Sequence, residues 1–120
     1  MSRTLLTVDL KNDPRVVESY RRHHAQVWPE VLASLKRSGI RRMEIFILER
    51  RLVMLVETDG RDFGACMAAH VAAGPRVEEW EALMRSMQEP PPGARPGEWW
   101  SVMEPLFALN GGPQPGASLE

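Results

Sequence analysis

Met43-Glu44-Ile45-Phe46-Ile47-Leu48, then Glu49-Arg50-Arg51, then Leu52-Val53-Met54-Leu55-Val56-Glu57-Thr58: two apolar runs joined by a short charged turn decide the fold. Runs of this length, rich in apolar side chains and separated by so few residues, read as the two strands of a hairpin. Successive side chains of a strand point to opposite faces. Here both faces are apolar, so the hairpin needs cover on both sides. Helices of the same chain supply one cover, and a second copy of the chain is the simplest source of the other.

Upstream, Leu5, Leu6, Val8 and Leu10 mark a strand over residues 3–10, closed by Lys11-Asn12-Asp13-Pro14. Asp13 suits a helix N-cap and Pro14 the first helical position, where its missing N–H costs nothing. The 3.6-residue period then predicts a helix from 14 to about 37, kinked or interrupted at Pro29 and stopped at Gly39. Downstream, an alanine-rich helix over 61–73 ends at Gly74-Pro75. A second, over 75–88, carries Val77, Trp80, Leu83, Met84 and Met87 on one face. Residues 89–97, with three consecutive prolines, read as a loop, and 99–109 as a last strand that Pro105 confines to an edge or a bulge. The order β-α-β-β-α-β is that of a ferredoxin-like α+β domain, with an antiparallel sheet and its helices on one face. Residues 1–109 form the single domain. Residues 110–120 read as a disordered tail, and its last Leu-Glu is of the kind that cloning can leave behind.

Composition excludes several classes of function. Fifteen Lys plus Arg against 16 Asp plus Glu leave a net charge of −1, without the basic excess of a nucleic-acid module. The cluster Lys36-Arg37…Arg41-Arg42 is split by a turn and reads as a solvated helix end and strand start. The lone Cys66 has no internal disulfide partner and reads as a small buried side chain, and no Cys/His spacing resembles a zinc site. With neither a signal segment nor an apolar run long enough to span a membrane, the chain is expected in the cytoplasm.

The chemistry concentrates in Tyr20-Arg21-Arg22-His23-His24-Ala25-Gln26-Val27-Trp28-Pro29-Glu30. On a helix, residues i and i+4 share a face, so Tyr20, His24 and Trp28 fall on one row, beside Val16, Val17, Val27, Val31 and Leu35. A titratable pair on an inward row needs hydrogen-bond partners or a pocket. His23 points about 100° away and reads as a surface residue. Read without further context, His24 would be a buried histidine satisfied by a neighbour. Tyr20 would be a core tyrosine with its hydroxyl at the rim, and Trp28 and Trp80 would be core side chains.

The run Tyr20…His24…Trp28-Pro29-Glu30 resembles the L-rhamnose mutarotase family of dimeric α/β sugar mutarotases. The resemblance extends over about residues 3–109 through the Gly39 turn, the Pro75-to-Trp80 helix entry and Gly97-Glu98-Trp99-Trp100…Met103-Glu104…Phe107. It implies a dimeric α/β barrel and an isomerase that interconverts the anomers of a 6-deoxyhexose without metal or cofactor. It also implies His24 as proton donor and Tyr20 as a sugar-binding residue, with Trp28 and Trp80 offering aromatic faces to the sugar. Where the rhamnose enzyme has a strand tyrosine and a helical Trp-Trp pair, this chain has Met43 and Glu79-Trp80. Those departures, with Val8-Asp9-Leu10-Lys11 and Met43-Glu44-Ile45-Phe46, resemble a branch of the family specific for L-fucose. Glu79 and Glu44 are the candidate carboxylates for a base or for sugar hydroxyls. Two other functions fit the same fold: a small haem-binding or monooxygenase-type barrel with His24 on iron, and a dimeric sugar-binding protein without catalysis.

Overall fold

Alternation along the first strand decides which face of the sheet is covered. In the computed structural model, which describes residues 2–109, β1 (Ser2–Leu10) buries Leu6, Val8 and Leu10 almost completely, while Leu5 on the other face stays 38% exposed. β3 (Arg51–Thr58) runs antiparallel to it, with Met54 opposite Leu6 and Leu52 opposite Val8, and it buries Leu52, Met54, Val56 and Thr58 on the same face. β2 (Ile40–Leu48) flanks β3, with Ile45 opposite Met54 and Ile47 opposite Leu52. Two short strands share the far edge of β1: β4 (Gln88–Glu89) beside Asp9 and Leu10, and β5 (Ser101–Met103) beside Leu5–Thr7. The order β2-β3-β1-β4, antiparallel throughout, is the ferredoxin-like α+β arrangement that the sequence predicts.

The expected single helix over 14–37 is two helices, α1 (Pro14–Ala25) and α2 (Pro29–Arg37). Proline lacks the N–H for an intrahelical bond, its ring clashes with the preceding turn, and it drives the residue before it to extended backbone. Trp28 accordingly has φ −61° and ψ 137°, and Pro29 becomes the first residue of α2. Asp13 caps α1 by accepting the Arg15 N–H, and Asp62 caps α3 (Phe63–Val71) by accepting that of Ala65. α4 (Pro75–Met87) places Val77, Trp80, Met84 and Met87 in the core, where Trp80, Met84 and Met87 pack with Tyr20, Val31 and Leu52.

Two strand expectations are corrected at the C-terminal edge. The last strand covers Ser101–Met103 rather than 99–109, because Pro105 has no N–H to continue the ladder. Gln88, expected to end the second helix, and Glu89, expected in the loop, instead pair with β1, since Pro90 holds Glu89 in extended backbone. The expected tail lies outside the described residues.

The face away from the helices is apolar at its centre: Phe46 is 55% exposed and Leu48 75%, beside Leu5, Val53, Leu55 and Met103. Two ion pairs lie on this face, Arg42 to Glu44 at 2.8 Å and Arg51 to Asp9 at 2.6 Å. Among the described residues, no helix is long and apolar enough to cross a membrane.

Gly39 turns the chain from α2 into β2 at φ +101°, a conformation that L side chains rarely adopt, and its carbonyl accepts the Asp59 N–H at 2.9 Å. A Cβ there would lie 2.6 Å from Nη2 of Arg61, whose guanidinium is held by Asp59. Gly39→Ala is therefore expected to cost about 1–2 kcal/mol, measured as a lower midpoint in chemical denaturation.

Candidate active site

Between the helices and the covered face of the sheet lies a cleft of about 1220 Å³. It is roomier than the usual small-molecule pocket of about 300–1,000 Å³. Tyr20, His24, Met43, Trp80, Glu81 and Gln88 are among the residues that line it. α1 contributes Tyr20 and His24 from consecutive turns of one face, with ring centroids 4.3 Å apart. The Trp80 ring meets His24 edge-on at 5.6 Å and Trp28 at 5.1 Å.

Tyr20 is 3% exposed, so its hydroxyl must find partners in the protein or in the cleft. Gln88 donates to it from Nε2 at 3.0 Å and accepts, on Oε1, the indole N–H of Trp99 at 2.9 Å. This chain settles the direction of every bond in it. The indole is only a donor, so the Gln88 oxygen faces Trp99 and its amide nitrogen faces Tyr20. The Tyr20 oxygen is thereby an acceptor, and its own O–H is left to donate. Burial, with the field of Glu81 in the same direction, raises the phenol to a pKa of about 12 against the opposing Gln88 bond. Tyr20 is thus a neutral hydrogen-bond donor at any physiological pH.

The Nδ1 of His24 lies 2.9 Å from the Tyr20 carbonyl oxygen. A carbonyl only accepts, so Nδ1 carries the proton, and in the neutral ring Nε2 is the free acceptor. Burial lowers the His24 pKa, and the charge of His23 pushes the same way. The Tyr20 carbonyl opposes them. The last turn of a helix would favour imidazolium, but desolvation is the larger influence. The result is a neutral, oriented imidazole.

The structure brings Tyr20, His24, Met43 and Trp80 to the cleft. Trp28 is not among its lining residues. Its ring packs on Trp80, with the Arg76 guanidinium 3.8 Å from the ring centroid. Nor is Glu79 brought to it: one residue of helix rotates a side chain by about 100°, and with Trp80 turned inward Glu79 is exposed and pairs with Arg76 at 3.0 Å. Glu44 lies on the opposite face of the sheet, bonded to Arg42. His23 is half-buried rather than fully exposed, its Nδ1 on the Ser19 carbonyl and its ring 6.2 Å from Trp80. Gln88 and Glu81 are cleft residues that sequence reasoning did not single out, and Trp99 entered it only within the run Gly97-Glu98-Trp99-Trp100. The only local signal was the Trp99-Trp100 pair, because contacts so distant along the chain leave no periodicity.

A smaller depression of about 440 Å³ at the hairpin tip is lined by Asp9, Leu48, Glu49, Arg50, Arg51 and Pro92. Arg51 pairs with Asp9 and Arg50 with Glu89, so both of its arginines are already engaged. Among the described residues, no three His, Cys, Asp or Glu side chains cluster as a metal site requires.

Comparison with known proteins matches residues 3–109 to the family described as L-rhamnose mutarotase. An L-fucose mutarotase of Xanthomonas campestris is 44% identical over 113 residues, 92% of this chain and 90% of that protein. An L-rhamnose mutarotase of Acidiphilium cryptum is 29% identical over 106 residues, 88% of this chain and 82% of that protein. The crystal structure of an L-rhamnose mutarotase of Formosa agariphila superposes with a TM-score of 0.65 at 22% identity. That superposition covers 91% of this chain and 99% of the other.

Replacing Gln88 with leucine would leave the Trp99 indole without its acceptor and Tyr20 without its donor. Each stranded buried group costs about 1–3 kcal/mol. Gln88→Leu should therefore lower the thermal midpoint, and Gln88→Leu combined with Tyr20→Phe should lose less than the two single losses added.

Proposed function

The chain belongs to the L-rhamnose mutarotase family and is a sugar mutarotase, an isomerase of aldose anomers; we propose that its sugar is the 6-deoxyhexose L-fucose and that His24 opens the ring. The observation that carries the reading is the placement of His24. Its ring is neutral, oriented by its own helix and directed at a cleft with aromatic walls. L-fucose is preferred to L-rhamnose on two grounds: the higher identity to an L-fucose mutarotase, and Met43 on the cleft wall where the rhamnose enzyme is expected to carry a tyrosine.

Mutarotation moves one proton and breaks one bond. Nε2 of His24 takes the proton of the anomeric hydroxyl as the bond from the anomeric carbon to the ring oxygen breaks. The resulting imidazolium returns that proton to the ring oxygen. The open aldehyde rotates about its first carbon–carbon bond, and the same steps in reverse close the other anomer. Both oxygens are bonded to one carbon, so a single nitrogen reaches both, and histidine holds and releases a proton near neutrality. The proton-donor role expected of His24 is the second half of this shuttle. Tyr20 donates its O–H to a sugar oxygen, and the Trp80 ring offers an apolar surface beside the sugar's C–H face.

The uncovered sheet face supports a homodimer. Phe46, Leu48 and Leu5 present apolar surface, beside which Arg42 and Arg51 are already paired with Glu44 and Asp9. A second copy of the chain covers it, giving a homodimer that would bury about 1,200–2,000 Å². No nucleic-acid partner is proposed. The setting is cytoplasmic, where the lone buried Cys66 stays a thiol.

Saturation-transfer NMR on both sugars should show faster anomer exchange than in buffer, with L-fucose exchanged faster than L-rhamnose. The opposite ranking would assign the chain to rhamnose. His24→Ala should lower the exchange about 10²-fold or more, while His23→Ala changes it little.

After subtraction of the spontaneous reaction, the rate should fall as the pH drops, with a midpoint below the ordinary histidine value of about 6.5. The depressed pKa keeps the accepting form populated down to that point. A rate that climbs on acidification would instead require a resting imidazolium.

Sedimentation at micromolar concentration should show a dimer, and Phe46→Glu a monomer.

A further inference from the structure

His70 is wholly buried, and the ring-opening chemistry makes no use of it. Its Nδ1 lies 2.7 Å from Oγ of Ser34, and its Nε2 3.3 Å from Oε2 of Glu81. A serine, a histidine and an acid in series suggest nucleophilic catalysis, but the order of exposure forbids it. Ser34 is 1% exposed, so no substrate reaches its oxygen, and the acid faces the cleft.

The hydrogen bonds fix the tautomer. The Ser34 hydroxyl is 2.7 Å from Nδ1 and 3.4 Å from the His70 carbonyl, so the nitrogen is its better acceptor. Nε2 then carries the imidazole proton and donates it to Glu81. One carboxylate oxygen is held from behind by a fully buried ring that is itself hydrogen-bonded to Ser34. The other accepts no hydrogen bond among the described residues, and no Lys or Arg nitrogen lies within 4.0 Å of the carboxylate. Glu81 is half-exposed on the wall that also holds Tyr20, His24 and Trp80, and it follows Trp80 directly in α4. A rigidly held anion with a vacant acceptor oxygen, on a wall of largely aromatic and aliphatic side chains, suits a ligand that offers hydroxyl protons.

We propose that Glu81 is the carboxylate that anchors a sugar hydroxyl in this site, and that His70 and Ser34 are its positioning residues. The identity of the ligand rests on the mutarotase reading, whereas the anchoring role rests on the Ser34–His70–Glu81 geometry. Glu81 takes the part that the sequence assigned to Glu79 or Glu44.

The test pairs binding with exchange in the full chain. Titration of L-fucose and L-rhamnose by tryptophan fluorescence gives Kd, and saturation-transfer NMR gives kcat and KM. Glu81→Gln should raise Kd and KM about tenfold or more, the scale of a charge-assisted hydrogen bond, and leave kcat within about threefold. Kd and KM within twofold of wild type would overturn the anchor. So would a fall in kcat of about a hundredfold at unchanged Kd, which would make Glu81 a proton-transfer group. His70→Asn should raise Kd in the same direction, and adding it to Glu81→Gln should change nothing further. If His70→Asn does not fold, Ser34→Ala replaces it. An additive double variant would reduce His70 to a structural role. In ¹⁵N-labelled wild type, His70 should show the Nε2–H tautomer, and the other tautomer would break the positioning chain. Glu81-dependent binding without faster exchange would remove the mutarotase reading and keep the anchor. Faster exchange that is insensitive to Glu81→Gln would do the reverse. Binding of neither sugar would overturn both.

Discussion

The hydrogen bond that Gln88 gives to the Tyr20 hydroxyl, 68 residues away in sequence, joins the parts of the molecule that enclose the cleft. Gln88 ends α4 and begins β4, Tyr20 belongs to α1, and the indole that bonds Gln88 in turn belongs to the segment before β5. Buried polar groups must be paired, and in this chain each group has one partner that suits it. The same bonds determine which way the Tyr20 proton points. Fold closure and the donor character of the site are thus one arrangement. The packing of Tyr20 on His24 and of Trp80 on both histidines is built upon it.

Pro29 is the second constraint. A continuous helix would carry Trp28 one turn beyond His24 on the same row. The break releases the Trp28 ring to meet Trp80 and leaves His24 in the last turn of α1, with its own i−4 carbonyl as partner. The apolar row survives the interruption because Val31 and Leu35 resume it in α2. One proline thereby separates a tryptophan that supports the wall from a histidine that faces the cleft.

Strand alternation keeps the chemistry and the assembly apart. On β2, Met43, Ile45 and Ile47 face the cleft, while Phe46 and Leu48 face away from it. A dimer on the outer face would cover Phe46, and the ion pairs Arg42–Glu44 and Arg51–Asp9 would enter it already neutralised. Such pairs add little to affinity, and their internal matching removes the cost of burying an unpaired charge.

Periodicity and local chemistry made much of this legible in the sequence. The hairpin followed from apolar runs on either side of Glu49-Arg50-Arg51, the α1 cap from Asp13-Pro14, and the pairing of Tyr20 with His24 from a four-residue spacing. Each of those signals lies within one element. At the C-terminal edge, β4 did not follow and β5 followed only as part of a longer strand, since two or three residues of pairing leave no pattern. Which carboxylate faces the cleft did not follow either. Glu79 and Glu81 stand two residues apart on one helix, and only the docking of Trp80 against α1 turns one outward and the other in. Ser34, His70 and Glu81 are drawn from three helices, 36 and 11 residues apart, and become a chain only when α2, α3 and α4 pack together. The sequence by itself determined the elements and the row that carries His24. Tertiary packing alone decided the partners of the buried polar groups, because a hydrogen bond depends on distance and direction in space rather than on separation along the chain.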